Sequence, residues 1–410
     1  MSRSTDVLII GGGPAGTATA LALARRGYEV ALVDRAVFPR EKLCGDYIHP
    51  LGAAALDHLG LFEEIRPHAQ VLAGMLIVSP AGREVLARFP SGRGLSVSRA
   101  VLDDAILRAA QRAGVTVETG RAARQVICHG DRWRILTDAD TWDARVLVGA
   151  DGLRSIVARG AGLRAGPARQ GRYAIGLYLH GLRTHEGFGE MHLARDAYCG
   201  VSAFPDGHAN VTMVVNKAVL RAWRSRPAGG SDQQGLGRGL GHHRLDLMLA
   251  RFPRLGSRIT AGTQVHGMRA IGPLAPTAGT VVGDGVVLVG DAAAFTDPLT
   301  GQGVSLALTG ALVAAETIDH ALRGGDVRAP QLARYAHWHQ HRLLALQGFL
   351  RLVEWIALRT PMIEPLARAW RGHPALAARF LGVIGNGDPA RRVLGPGYLS
   401  RLLLACISRA

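Results

Sequence analysis

Gly11, Gly13 and Gly16 follow the apolar run Val7–Ile10 and precede an Ala/Leu-rich stretch to about Arg26, and Asp34 closes the next apolar run, Val30–Val33. Glycines at that spacing let a backbone approach a pyrophosphate. Pro14 and Ala15 then start a helix whose N–H groups and dipole favour the anion, and an aspartate ending the second strand can accept from ribose hydroxyls. The motif alone serves FAD and NAD equally. A second run, Gly290-Asp291 through Phe295, Asp297-Pro298-Leu299-Thr300-Gly301-Gln302-Gly303-Val304, reads as strand end, loop and helix start. Between the two runs lie groups able to hold or move protons: the Cys44 thiol beside Gly45, the Tyr47 phenol and the His49 imidazole. Each can equally be a packed, hydrogen-bonded side chain. His337 and His341 share a helical face, but no adjoining Glu motif or further ligand cluster accompanies them, so no metal is expected.

The elements that must position these groups begin as a βαβ unit. Strand-like pieces between Met75 and Val97, broken by Gly82, Pro90 and Gly94, precede a helix from about Ala100 to Ala113 and a hairpin-like run to Trp142. An apolar strand, Arg145–Gly149, returns to the core and ends at Ala150-Asp151-Gly152. From Tyr173 to Val215 four stretches alternate apolar and polar residues, the pattern of an antiparallel sheet with covered faces. Arg224–His243, rich in Gly, Arg, Ser and His, reads as an insertion. A strand at 285–289 leads into the second glycine-bearing run and a helix from about Gln302 to Leu322. The remainder is helical, punctuated by Pro361, Pro365, Pro374 and Pro389.

With 410 residues, 48% of them apolar, the chain can bury the cores of two or three domains. A net charge of +16 favours acidic partners. From Ala321 to Ala410 there are 13 Arg against Asp326, Glu354, Glu364 and Asp388, so a basic C-terminal surface facing anionic lipid is one reading and an Arg-rich composition of no special purpose the other. No helix-turn-helix, zinc finger or aromatic-basic interleaving points to nucleic acid. Cys44, Cys128, Cys199 and Cys406 are far apart, which suits a reducing cytoplasm rather than a disulfide scaffold. No signal-peptide pattern and no spanning apolar stretch is expected. A cytoplasmic location follows, with peripheral contact to the inner membrane face as its extension.

The Gly290–Val304 run resembles the flavin-binding segment of the glutathione-reductase-like FAD superfamily. Together with Glu41-Lys42-Leu43-Cys44-Gly45-Asp46, with Arg99 ahead of Asp103, and with Gly149-Ala150-Asp151-Gly152 followed by Ser155, the chain resembles the geranylgeranyl reductase family. That family stands beside the flavin monooxygenases and halogenases of the para-hydroxybenzoate hydroxylase type. The likeness covers most of residues 1–320. It implies an α/β fold: a Rossmann-type FAD-binding domain from 1–74, 95–165 and 270–322, an antiparallel substrate domain from 75–94 and 166–269, and a helical region at 323–410. It further implies that Arg35, Arg99 and the backbone near Ala122 hold the adenine half of FAD. Lys42, Cys44 and Gly45 would lie at the cofactor, and Asp291, Pro298, Gly301, Gln302, Gly303 and Val304 at its flavin half.

Related monooxygenases carry a His and a Pro-Pro where this chain has Phe295 and Asp297-Pro298, and the halogenases' Trp-x-Trp is absent. Where the reductases carry Tyr-x-Trp-x-Phe-Pro, this chain has Gly200-Val201-Ser202-Ala203-Phe204-Pro205, which implies a wider substrate pocket with Tyr198 available to refill it. No second Gly-x-Gly-x-x-Gly follows a strand, so electrons must come from transiently docked NAD(P)H or a separate donor. The resemblance thus implies reduction of a carbon–carbon double bond in a hydrophobic, isoprenoid- or polyketide-like substrate. A single-component monooxygenase and a non-catalytic FAD-bound binding or membrane-adaptor protein are the alternatives.

Overall fold

In the computed structural model the described residues are 2–163, 171–224, 249–260, 263–274 and 279–407. Past Arg224, the stretch expected as an insertion lies outside them. The first sheet is built on β1 (Ser2–Ile10), which pairs in parallel with β2 (Val30–Asp34) on one side and β11 (Thr141–Gly149) on the other. β8 (Thr116–Thr119) extends it beyond β2, and β18 (Val286–Leu288) with β17 (Val282–Gly283) beyond β11. A hairpin of β9 (Ala123–His129) and β10 (Arg132–Thr137) adds to the first half of β11. Val7–Ile10, Val30–Val33 and Val146–Val148 are buried throughout, as unbroken apolar runs must be in a parallel sheet covered on both faces. The helices Pro14–Ala24, Arg99–Arg112 and Gly303–Arg323 pack together against it.

The second sheet has the order β16 (Gln264–Leu274), β12 (Arg172–His180), β15 (His208–Asn216), β14 (Ala197–Ala203), β13 (Phe188–Ala194), β5 (Gly74–Val78), β6 (Glu84–Arg88). Only the β13–β5 pair is parallel. Period-2 alternation sends Leu177, Leu179, Val201, Val211 and Met213 to one face, where Phe252 and Leu255 cover them. It sends Ala174, Leu193, Tyr198 and Val214 to the other, into a core shared with Tyr47, Leu299 and the C-terminal helices. The boundary expected at 269 falls inside β16, which stays paired with β12 as far as Leu274. A small sheet, β3 (Tyr47–Ile48) with β7 (Gly94–Ser96) and β4 (Gln70–Leu72), lies on the segments that run between the two large ones.

Helices Ala329–His339, Ala345–Ala357, Thr360–Gly372, Pro374–Leu381 and Pro396–Ile407 form the C-terminal layer. The His337 and His341 rings are 4.7 Å apart, and among the described residues no group of three metal-ligating side chains exists. No helix among them is long and apolar enough to cross a membrane.

The helix Pro14–Ala24 sits so close to β1 that a β-carbon on Gly16 would lie 1.9 Å from the Gly11 carbonyl oxygen. Gly16→Ala is therefore expected to push the helix off the sheet and cost about 3 kcal/mol, read as a lowered denaturation midpoint with an unchanged slope.

Candidate active site

The first turn is shaped by close approach. Gly11 has φ +110°, and a β-carbon there would meet the Ala150 carbonyl oxygen at 2.4 Å. Pro14 is the first helical residue and no side chain caps the helix, so its leading N–H groups face outward from the turn. Asp34 accepts from the Gly12 and Ala36 N–H groups at 2.6 and 2.7 Å, which pins the turn to the end of β2. Arg35, exposed, and Ala122 flank it where Arg121 N–H donates to the Asp34 carbonyl. The Ala122 N–H itself donates to Asp138.

Cations converge on this turn. Arg99 donates twice to Asp103 at 2.8 Å, and Arg40 reaches the same carboxylate at 3.0 Å. A β-carbon on Gly13 would find the Arg40 and Arg99 guanidinium nitrogens within 4 Å. Burial works against the Arg99 charge, but Asp103 overcomes it and holds the guanidinium above its ordinary range. Lys42 has its pKa lowered by burial and by Arg99 and Arg40, with Asp291 and Asp103 opposing. Arg40, Arg99 and Lys42 thus gather at a turn that also holds Asp34, Asp103 and Asp291, and the two guanidiniums beside Gly13 suit a bound polyanion.

Gly290, at φ +60°, lies so near Ala15 that a β-carbon would approach within 2.9 Å, which brings Asp291 beside the glycine turn. Further on, Asp297 accepts from Leu299 N–H to start the turn Pro298–Thr300, and Gly301 closes it at φ +66° against the Tyr47 ring. The helix from Gly303 through Val304 has no side-chain cap. His49 Nε2 lies 2.6 Å from the Thr300 carbonyl, which can only accept, so the proton resides on Nε2. Burial lowers this imidazole to about 4, and it is neutral at pH 7. Burial keeps the Tyr47 phenol protonated as well.

The two facing loops and β7 carry buried polar atoms with no protein partner: Asp46 Oδ1, Tyr47 OH, His49 Nδ1, Ser96 Oγ, Thr300 Oγ1 and Gln302 Oε1. Such atoms are costly unless a bound group answers them.

Across from these loops the second sheet presents small residues. In register from β12 to β13 run Gly176, Thr212, Gly200 and Met191, and beside them Tyr178, Asn210 and Ser202. Leu43 fills the space over Gly176 and the Tyr47 ring that over Gly189. Gly200 meets the Met191 methyl at 3.7 Å, an ordinary contact, so the row Gly176, Thr212, Gly200 is a shallow trough only in the sense that its side chains are small. The Cys44 carbonyl accepts from Asn210 Nδ2 and Thr212 Oγ1 at 3.0 and 2.9 Å. Asp46, at φ +52° and fully buried, accepts on Oδ2 from Tyr178 OH and Asn210 Nδ2 at 2.8 and 2.9 Å. Burial raises its carboxyl to about 7, against the pull of Tyr178 and Arg99. Burial also raises the Cys44 thiol, which faces Arg99.

Of the expected substrate residues, Gly200, Ser202 and Phe204 lie on the trough face of β14 or directly after it, whereas Pro205 sits exposed at the turn beyond the strand. Tyr198 is buried and donates to Asp297 at 2.5 Å, so it braces the Pro298 turn. Asp46, Tyr178, Asn210, Thr212 and Arg40 were not among the expected site residues. Asp46 stands inside the motif already singled out, and Asn210 and Thr212 are polar positions on the alternating face of an apolar strand, a readable signal. Arg40 carries no sequence signal that separates it from the other arginines.

A glycine turn beside buried guanidinium and ammonium groups on one sheet, joined by a loop of buried titratable side chains to a face of small residues on another, is an arrangement that suits a dinucleotide-dependent oxidoreductase. The FAD binding domain family matches residues 4–179. The chain is 31% identical over 331 residues to menaquinone reductase of Mycobacterium tuberculosis, covering 77% of each chain. It is 29% identical over 344 residues to digeranylgeranylglycerophospholipid reductase 2 of Methanopyrus kandleri, covering 80% of this chain and 81% of that one. In fold it is similar to a flavoprotein/dehydrogenase of Cytophaga hutchinsonii, with TM-score 0.81, 19% identity and 98% of both chains covered. A halogenase solved with FAD superposes with TM-score 0.76 at 16% identity over 99% of this chain and 87% of that one. The chain belongs to the geranylgeranyl reductase family and is an FAD-dependent oxidoreductase. The guanidiniums beside Gly13 and the uncapped helix start fit a pyrophosphate and the partnerless atoms on the loops fit a polar ring edge, so the residues present fit FAD.

Asp103→Asn would leave the buried Arg99 and the partly buried Arg40 without the carboxylate they share. The expected result is a loss of about 3–5 kcal/mol in denaturant unfolding and weaker retention of flavin on gel filtration.

Proposed function

We propose that the protein reduces a carbon–carbon double bond in a long apolar substrate. The observation that carries this reading is the Lys42–Asp46 segment. It leaves the cationic cradle with the Cys44 thiol on the Arg99 side, ties the Cys44 carbonyl to Asn210 and Thr212 of the second sheet, and sets the Asp46 carboxyl against Tyr178 and Asn210. Relatives named as reductases of menaquinone and of digeranylgeranylglycerophospholipid support it.

Arg40, Lys42 and Arg99 would hold the pyrophosphate with the first turn, and the Pro298–Val304 loop and the uncapped helix would hold the flavin end. Reduced FAD, when bound, supplies a hydride. Saturating an alkene then requires one proton at the other carbon, and the chain must hold it. Oδ2 of Asp46 already accepts two hydrogen bonds, so the acid proton belongs on Oδ1, the oxygen without a protein partner. A carboxyl near the working pH is the better donor. Cys44, kept as a thiol by burial, faces Arg99 on the cofactor side of the same loop. NAD(P)H or a separate donor restores the reduced cofactor.

Anaerobic incubation of the reduced holoprotein with prenyl alkenes in D2O tests this. Saturated product carrying solvent deuterium at the protonated carbon, and at the other carbon too once the exchangeable N–H of the reduced flavin has equilibrated with D2O, is expected, without oxygen demand. Substrate-stimulated oxygen uptake with a hydroxylated product would instead establish a monooxygenase.

The pH dependence follows from Asp46. Its folded pKa is raised to about 7, so the acid form dominates below that pH and is lost as pH rises through it. The rate should fall across neutrality. Stability should also decline between the ordinary carboxyl range and pH 7, because the native state binds the proton more tightly than the unfolded chain. Asp46→Asn should lower the turnover rate by about 10²–10⁴-fold and remove the inflection, as a pH–rate profile would read.

A further inference from the structure

The C-terminal layer presents an outer surface of unusual composition. Of twelve large hydrophobic side chains exposed among the described residues, eight lie between Ala345 and Ile407. They are Leu352, Trp355 and Met362, then Leu394 and Leu399, and finally Leu403, Leu404 and Ile407, of which the last three are more than 60% exposed. In the helix Pro396–Ile407 the inward positions are Tyr398 and Ala405, while Leu399, Leu403 and Ile407 repeat every four residues on the outside. That helix packs on Thr360–Gly372, which packs on Ala345–Ala357, so the apolar groups belong to one layer.

The charges of the layer are one-sided. Its eight arginines, from Arg351 to Arg401, are all exposed. Its three carboxylates are drawn inward or already paired: Glu354 with Arg172, Glu364 with Arg83 and Asp388 with Arg392. Among the described residues only Arg392 of the eight forms an ion pair. The Arg359 guanidinium lies 4.4 Å over the Trp355 ring, an aromatic and a cation side by side at the edge of the apolar stripe.

From this we infer that the outer face of the C-terminal layer docks on an anionic lipid bilayer. Apolar stripes bordered by arginine and tryptophan suit the boundary between acyl chains and headgroups, and a lipid phosphate surface answers cations that the protein leaves unpaired. A second copy of the chain is disfavoured: a two-fold contact would set arginines against arginines with no unpaired carboxylate among the described residues of the layer to relieve them.

The inner side of the same helices closes the site. Phe349, Leu350, Ile363 and Trp370 share a core with Tyr47, Tyr198 and Leu299, and Gln302 Nε2 donates to the Ile384 carbonyl at 2.7 Å. One helix layer, roughly 10 Å thick, therefore separates the docking face from the trough, so a membrane-resident alkene would have a short path. That last step rests on the proposed reductase activity; the docking does not.

The test is co-sedimentation of the full-length holoprotein with vesicles of phosphatidylcholine alone, and of phosphatidylcholine with one third phosphatidylglycerol. Binding to the anionic vesicles alone is expected, weakened by added salt, by Leu403→Ser with Leu404→Ser, and by Arg391→Gln with Arg392→Gln and Arg401→Gln, each set by about tenfold or more. Retained flavin and an unchanged melting temperature confirm that both variants fold. Equal binding to neutral vesicles, or none to either, overturns the inference. So does a dimer in sedimentation velocity that the two serines dissolve, since that gives the face to a second copy. Vesicle binding by a protein that saturates no alkene would remove the reductase reading and leave the docking standing.

Discussion

Two sheets with separate cores must meet at a fixed distance for this protein to work, and the carbonyl of Cys44 fixes it. Asn210 and Thr212 reach up from β15 to that one oxygen, while the loop that carries it begins at Lys42 among the cations of the glycine turn. The next residues extend the grip. Asp46 takes the left-handed conformation, unusual outside glycine, and its carboxyl is held by Tyr178 and Asn210. Strain of that kind persists only where surroundings over-determine it. Glycines make room for the loop: a side chain at Gly176 would strike Leu43, and one at Gly189 would strike Tyr47.

Burial acts on the site's ionisable groups with opposite results, depending on partners. Arg99 is buried as deeply as any of them, yet it stays charged because the Asp103 carboxylate answers it in a paired geometry. Asp46 has neutral donors on one oxygen and nothing on the other, so desolvation dominates and the proton stays into the neutral range. His49 is buried with a single carbonyl partner, and it loses its proton instead. One loop therefore holds a neutral imidazole and a carboxyl that keeps its proton up to the neutral range within a few residues, which limits charge between the two sheets.

The sequence made the scaffold legible because its signals are local. Apolar runs of period one and two, glycines at fixed spacing and a strand-to-helix turn each follow from a short window, and β1, β11 and the helix after Gln302 lie where those windows put them. The cationic group was only half visible: Arg99 and Lys42 stand in motifs, whereas Arg40 is recognisable only once the chain folds it against Asp103. Asp46 shows the sharper limit. Its position in a motif was plain, but its proton depends on Tyr178 and Asn210, more than 130 residues away, and no local pattern encodes that meeting. The fate of Tyr198 is similar, since its bond to Asp297 spans 99 residues.

That bond also bears on how the helical layer and the site communicate. Tyr198 holds Asp297, Asp297 starts the turn before the uncapped helix, and Arg172 lies 3.7 Å from the same carboxylate while pairing with Glu354 of the C-terminal layer. Burial raises the Glu354 pKa, so this ion pair is held against desolvation and depends on the layer staying seated. Displacing the helix Ala345–Ala357 would take Glu354 from Arg172 and leave that guanidinium with Asp297 alone. One arginine with two carboxylates thus ties the buried side of that layer to the Pro298 turn.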